Sequence, residues 1–132
     1  MPSYSPAYLE YELRLATLPV RKLLAWERDV LCALAAAAGL AAGLSVPEAL
    51  DSYWVRELPG HGDGSIRFVT PAARERGQLD VATLFYTDAD GVLASFSLDL
   101  DRQGAFWQIE AMKIDGSPLQ RPPVAGDLRM DC

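Results

Sequence analysis

The chain has 132 residues, half of them hydrophobic and 23% charged, with a formal net charge of −6. This length and composition are typical of a soluble globular protein with a substantial core, and we expect one domain over residues 1–132. The acidic balance disfavours nucleic acid as a partner, because phosphate binding needs clustered Lys and Arg side chains.

The sequence also disfavours secreted and membrane proteins. Two cysteines, Cys32 and Cys132, do not make a disulfide framework. The chain opens without the basic segment and apolar core of a signal peptide. The apolar run 31–44 is too short to cross a membrane, which takes about 20 residues. We therefore expect a cytoplasmic protein without a membrane partner.

Two helices are predicted in the first third of the chain. Residues 5–17 alternate like a strand, but Ser5-Pro6 is a good helix start and the composition favours helix, so we predict a helix that Pro19 ends. Residues 25–38 form a second predicted helix, with apolar side chains at helical spacing and an alanine-rich end suited to close packing. A short helical turn is expected at residues 47–51.

Strands follow the helices, and this order predicts an α+β fold. The three strongest strand patterns are close together and form a C-terminal meander. Proline-rich sequence after Leu119 predicts an irregular tail. We expect the N-terminal helices to pack on an antiparallel sheet of about five strands. The predicted strands are residues 53–58, 65–69, 81–87, 92–100 and 105–114, with a glycine-dense loop at 59–64 and a polar surface loop at 70–79.

Each turn of the meander begins with Asp and ends with Gly. Residues 88–91 (Asp-Ala-Asp-Gly) and 101–104 (Asp-Arg-Gln-Gly) suit type I turns closed by a glycine at positive φ. Residues 88–91 also begin like a calcium loop, but the Glu required at position 12 is missing. The acidic pairs Asp88/Asp90 and Asp99/Asp101 lie about 30 Å apart on an extended strand, so they cannot share a metal. We predict no metal and no cofactor.

Two groups of residues carry a catalytic alternative. His61, Asp63 and Ser65 are catalytic residue types, but they are too close in sequence to converge readily as a triad, and no nucleophile elbow is present. Such a loop is more often structural. Glu110 and Asp115, on or just after the last strand, could form a general acid–base pair, although strand-edge acids are usually solvated.

The register of the last strand leaves two alternatives open. If the turn at residues 101–104 takes a three-residue loop, Gln108 and Glu110 share a face with Phe96 and Leu98. A slip of one residue moves Gln108 and Glu110 to the opposite face, with Ser95 and Ser97. Trp107 and Ile109 would then point into the core. The sequence is compatible with both.

Several short motifs resemble a family of small, uncharacterised bacterial proteins known only as a domain of unknown function. The resemblance covers about residues 21–119, and Met112 and Gly116 depart from its aromatic positions. It implies a compact α+β fold and no established activity. The motifs are Arg21 to Leu23 with Glu27, Gly62 to Ile66, Asp88 to Gly91, Leu98 to Gly104 and Lys113 to Leu119.

The acidic charge, small size and lack of a catalytic motif lead to a functional hypothesis. We expect a non-catalytic binding protein, most specifically an immunity protein that neutralises a basic toxin. The alternatives are a small enzyme or ligand-binding domain, and a homodimer subunit. Trp54 is a further candidate anchor if it is exposed. The predicted partner-binding residues are Asp88, Asp90, Asp99, Asp101, Trp107, Glu110 and Asp115. The first four are included because we expect turns to expose their side chains.

Overall fold

The computed structural model describes residues 5–40, 47–58, 64–69, 75–123 and 125–130. The predicted α+β fold is confirmed. The sheet has six strands rather than about five, because Arg21 and Lys22 also form a short strand. The predicted features at residues 59–63 and 70–74, and Cys132, lie outside the described residues. The elements are α1 (Pro6–Leu15), β1 (Arg21–Lys22), α2 (Ala25–Ala37), α3 (Pro47–Asp51), β2 (Trp54–Glu57), β3 (Ile66–Val69), β4 (Ala82–Thr87), β5 (Leu93–Leu100), β6 (Phe106–Lys113) and a 3-10 turn (Ala125–Asp127).

The six strands form one sheet in the order β1-β2-β3-β6-β5-β4, and all neighbours are antiparallel. The predicted meander is therefore one half of the sheet, with β5 between β4 and β6. β6 also pairs with β3, so it joins the meander to the earlier strands. One face of this sheet carries α2, and we call the opposite face the second face.

Helix α2 packs its apolar side on the first face and builds the core. Leu31 and Leu34 are fully buried against side chains such as Phe96 and Leu98 of β5. The helix begins where Glu27 accepts a hydrogen bond from the backbone N–H of Leu24 at 2.8 Å, which satisfies one of the free donors of its first turn. The expected packing of the alanine-rich helix on a sheet is confirmed.

Helix α1 packs on the second face, so the sheet has helices on both sides. The predicted helix is confirmed, and its start has a local cause: the Ser5 side chain accepts the backbone N–H of Tyr8, and proline occupies the first helical position. Glu12 of α1 is paired with Arg67 of β3 at 2.7 Å. This contact places α1 over the β3–β6 side of the second face.

A β-bulge decides the register of the last hairpin. Asp99 pairs with Gln108 but Leu100 pairs with Phe106, so Trp107 is an extra residue on β6. The one-residue slip is therefore correct for Glu110, which pairs with Ser97 on the second face. Ile109 points into the core as that alternative requires. Trp107 does not, because the bulge turns its side chain to the second face, where Arg67 lies 4.2 Å above its ring.

Both predicted turns are present, each closed by a glycine at its fourth position. The N–H of Gly91 donates to the carbonyl of Asp88, and the N–H of Gly104 donates to the carbonyl of Asp101. Both glycines have positive φ, 80° and 84°, which side chains with a Cβ rarely adopt. The turns thus form for the local reason that the sequence indicates.

Candidate functional site

The second face of the sheet is only half covered. Helix α1 lies over β3 and the adjoining part of β6, while the C-terminal end of β6 and the neighbouring parts of β5 and β4 carry exposed apolar side chains. Met112 is 58% exposed and Ile114 is 74% exposed. Phe85 and Leu93 are partly exposed beside them. We call this surface, made by Phe85, Leu93, Met112 and Ile114, the open patch.

Strand pairing brings the members of the open patch together. Phe85 of β4 pairs with Ser95 of β5, which in turn pairs with Met112 of β6. The N–H of Ile114 donates to the carbonyl of Leu93, so these two residues lie side by side in the next row. Contiguous exposed apolar side chains on a soluble domain mark an interaction surface more often than isolated ones do.

Two of the predicted partner-binding acids border the open patch. Glu110 is partly exposed and lies two residues before Met112 on the same face of β6. Asp115 is exposed and directly follows Ile114. Hydrogen bonds from the hydroxyl and the N–H of Ser117 lower the pKa of Asp115, so its carboxylate is charged at neutral pH. The patch therefore has an acidic border.

The acids of the first turn have a different environment from the one the sequence suggests. We expected turns to expose their side chains, and this is wrong for Asp88, which is 3% exposed. Its carboxylate lies 3.1 Å from the buried ammonium of Lys113 and accepts the backbone N–H groups of Ala89, Gln120 and Arg121. Asp90 is exposed but is also paired with Lys113. This pair of acids closes a turn.

Burial and hydrogen bonding act in opposite directions on the pKa of Asp88. Burial alone would raise the pKa, but the N–H groups of Gln120 and Ala89, together with Lys113, outweigh it and lower the pKa to about 2. Burial likewise opposes the charged form of Lys113, and its two carboxylate partners reverse the effect and raise its pKa. Asp88 and Lys113 are therefore both charged at neutral pH, and their pairing stabilises the fold.

Exposure is also wrong for the acids of the second turn. Asp99 is 2% exposed and accepts the N–H of Asp80 and the amide Nε2 of Gln108, both at 2.8 Å. Burial raises the pKa of Asp99. Asp101 is 5% exposed, and one of its oxygens accepts the N–H groups of Gln103 and Ala105. Neither carboxylate is presented to a partner.

The hydrogen bonds of Asp99 predict a cost for asparagine at this position. Asp99→Asn is expected to cost about 1–3 kcal/mol, because one oxygen accepts the N–H of Asp80 and the other accepts the amide of Gln108, so the new amide NH₂ must face a donor. Chemical denaturation of the variant and the wild type measures the loss. An unchanged free energy of unfolding would contradict the assigned hydrogen bonds.

The two candidate tryptophan anchors differ in exposure. Trp107 is 5% exposed beneath α1, so it is not available as an anchor. Trp54 is 45% exposed and has the ammonium of Lys22 4.2 Å from its ring centroid. It lies on β2, three strands from β5 and about 14 Å away at the usual strand spacing. Trp54 is thus an exposed aromatic outside the open patch.

Of the three loop residues behind the catalytic alternative, Ser65 is the one that the structure describes. His61 and Asp63 lie outside the described residues. Ser65 is buried, and its hydroxyl accepts the N–H of Ala111 at 2.8 Å and lies 3.2 Å from the carbonyl of the same residue. The Ser65 side chain therefore joins β3 to β6. Glu110 and Asp115 lie at opposite ends of the open patch. They therefore do not converge on a common reacting atom, as a general acid–base pair would.

The open patch was missed in the sequence because its residues look like ordinary strand residues. Met112 and Ile114 alternate with Ala111 and Lys113, and alternation gives two faces without saying which is covered. The usable signal was the alternation of Ser95, Ser97 and Asp99 with apolar residues along β5, because it marks a polar face of this strand. That polar face contrasts with the fully apolar row on the other side of β5.

Together these features define an α+β protein with a sheet whose second face is half covered by α1. A family model described as a domain of unknown function, DUF6984, matches residues 20–123, and the chain belongs to this family. The match includes the open patch and excludes α1. Comparison with the curated proteins and with the solved structures finds no match.

The described residues contain neither a metal-binding cluster nor a helix that could span a membrane. No three His, Cys, Asp or Glu side chains there converge in a group that could hold a metal ion. In the same part of the chain, no helix combines the length and the apolar character needed to cross a membrane.

Proposed function

We propose that this chain is a non-catalytic binding protein, and specifically a bacterial immunity protein of the cytoplasm that neutralises a cognate toxin by direct binding. The observation that carries the proposal is the open patch, where Met112 and Ile114 are more than half exposed on the second face of the sheet. A flexible methionine beside aromatic and aliphatic side chains is a composition typical of interface cores.

Charge supports a basic partner. The chain has a net charge of −6, and the open patch is bordered by Glu110 and Asp115. Acids at the rim of an interface mainly accelerate association, while buried apolar anchors slow dissociation. The rim acids of the proposal are therefore Glu110 and Asp115, which replace the buried turn acids as the residues that steer encounter.

Introducing charge into the open patch is expected to abolish neutralisation. Met112→Glu or Ile114→Glu should raise the dissociation constant for the toxin by about 30-fold or more, because a central interface residue is worth about 2 kcal/mol. The immunity role predicts a toxin-domain gene immediately upstream. That toxin is expressed with and without this chain, growth reports neutralisation, and calorimetry gives the affinity. A neighbouring gene of another kind would contradict the immunity role.

Leu13→Glu provides the matched control. Leu13 is 72% exposed on α1, so the same substitution adds the same charge outside the open patch. It is expected to leave growth and affinity unchanged. Loss of neutralisation in all three variants would show a general charge effect and would remove the open patch from the argument.

A further inference from the structure

A groove runs along the edge of α1, between this helix and the end of the meander. Its volume is about 230 Å³, below the roughly 300–1,000 Å³ of most small-molecule sites. The groove adjoins the open patch, because Glu110 belongs to its wall and lies two residues from Met112 on β6. Its walls combine the aromatic side chains Tyr8, Tyr11 and Trp107 with the carboxylates Asp80, Asp99 and Glu110.

The aromatic walls of the groove already stack on guanidinium groups. Arg67 lies 4.2 Å from the ring centroid of Trp107, and Arg76 lies 4.9 Å from that of Tyr8. A planar guanidinium on an aromatic face is favourable both electrostatically and by stacking. These two contacts show which kind of cation suits the rings of this surface.

The charges in and beside the groove do not balance. Arg67 is neutralised by Glu12 at 2.7 Å, and it also donates to the amide oxygen of Gln108. Among the described residues of the wall, the acids Asp80, Asp99 and Glu110 then stand beside one further basic residue, Arg76. These described residues carry a formal excess of two negative charges. A partly closed groove with this excess attracts a cation more strongly than an open surface does, because solvent screening is reduced.

We propose that the groove binds an arginine side chain of the partner protein that docks on the open patch. This inference rests on the proposed function and names the chemistry of the partner at one position. The guanidinium lies against the aromatic wall and is paired with Asp80 and Glu110, the two acids that are exposed or partly exposed. Asp99 is held by Asp80 and Gln108 and contributes its charge from below.

The first test uses the full chain and a probe of one residue. Nα-acetyl-L-arginine methylamide is titrated into ¹⁵N-labelled protein while the indole resonance of Trp107 is followed by NMR. Millimolar binding is expected, as for a single side chain. The citrulline analogue has nearly the same shape without charge, and it should produce no saturable shift. Equal shifts with both compounds would overturn the proposal.

Variants of the groove sharpen the test. Asp80→Asn with Glu110→Gln should weaken probe binding by about ten-fold, since each partly exposed pair contributes a few-fold. Asp29→Asn, which removes an exposed acid of α2, is the control and should have no effect. Arg76→Ala should strengthen binding several-fold, because it removes a repelling charge from the ring of Tyr8. Unchanged affinity in all groove variants would contradict the proposal.

The second test separates this inference from the proposed function. The double variant Asp80→Asn/Glu110→Gln is assayed for toxin neutralisation beside the wild type, after thermal unfolding has confirmed that it folds. An increase of about ten-fold in the toxin dissociation constant is expected. If the wild type does not neutralise the toxin, the proposed function fails. If the wild type and the double variant neutralise equally, the groove proposal and the steering role of Glu110 fail, while the immunity role stands.

Discussion

Replacing Phe96 with alanine is expected to lower the free energy of unfolding by about 3–5 kcal/mol, the range of large-to-small changes in a packed core. Phe96 is 0% exposed in the middle of β5. Its ring stacks on Tyr86 with centroids 5.8 Å apart and meets the edge of Trp26 at 6.1 Å. The substitution therefore removes contacts with both the neighbouring strand and α2, and these cannot all relax to fill the cavity.

Phe85→Ala is the matched control for Phe96→Ala. Phe85 lies on the neighbouring strand but on the second face, where it is partly exposed and has Ser95 as its strand partner. The same atoms are removed with little cavity, so a loss of about 1 kcal/mol is expected. Urea denaturation measures both variants. A smaller loss for Phe96→Ala than for Phe85→Ala would show that the two faces are exchanged.

The parts of the fold that depend on local sequence were predictable. Helix α2 has apolar residues at helical spacing, and the turns at Gly91 and Gly104 have glycine where positive φ is required. The meander follows from alternation between these turns. By contrast, β1 contains only Arg21 and Lys22, which is too short for any periodicity to appear. It is a strand because Arg21 pairs with Val55 of β2.

The candidate site was harder to predict because distant residues decide which side chains are exposed. Asp88 has the sequence of an exposed turn acid, yet its partner Gln120 is 32 positions away. The bulge at Trp107 moves a large aromatic side chain from the core to the second face, and alternation alone cannot locate a bulge. Helix α1 covers one part of the second face and forms the groove along its edge, and the part that it leaves uncovered is the open patch. None of these effects is encoded within one strand.

The buried ion pair between Asp88 and Lys113 gives the second large expected effect. Asp88→Ala should cost about 3 kcal/mol, the lower end of the range for breaking a buried pair, because Asp90 still faces Lys113. The variant also leaves the N–H groups of Ala89 and Gln120 without their acceptor. Asp88→Asn is expected to cost less, since its remaining oxygen still accepts an N–H. Asp90→Ala, at an exposed position, should cost the least.

The pH dependence of unfolding tests whether the negative charge of Asp88 causes this loss of stability. The pKa of Asp88 falls from 3.8 to about 2 on folding, so its carboxylate stabilises the folded state fully above pH 4. That stabilisation is lost as the pH falls through about 2. The stability difference between the wild type and Asp88→Asn should therefore be constant from pH 7 to pH 5 and shrink between pH 4 and pH 2. Denaturation curves at each pH measure this difference. A difference that persists unchanged at pH 2 would assign the effect to packing and hydrogen bonding, and would contradict a charged Asp88 in the folded protein.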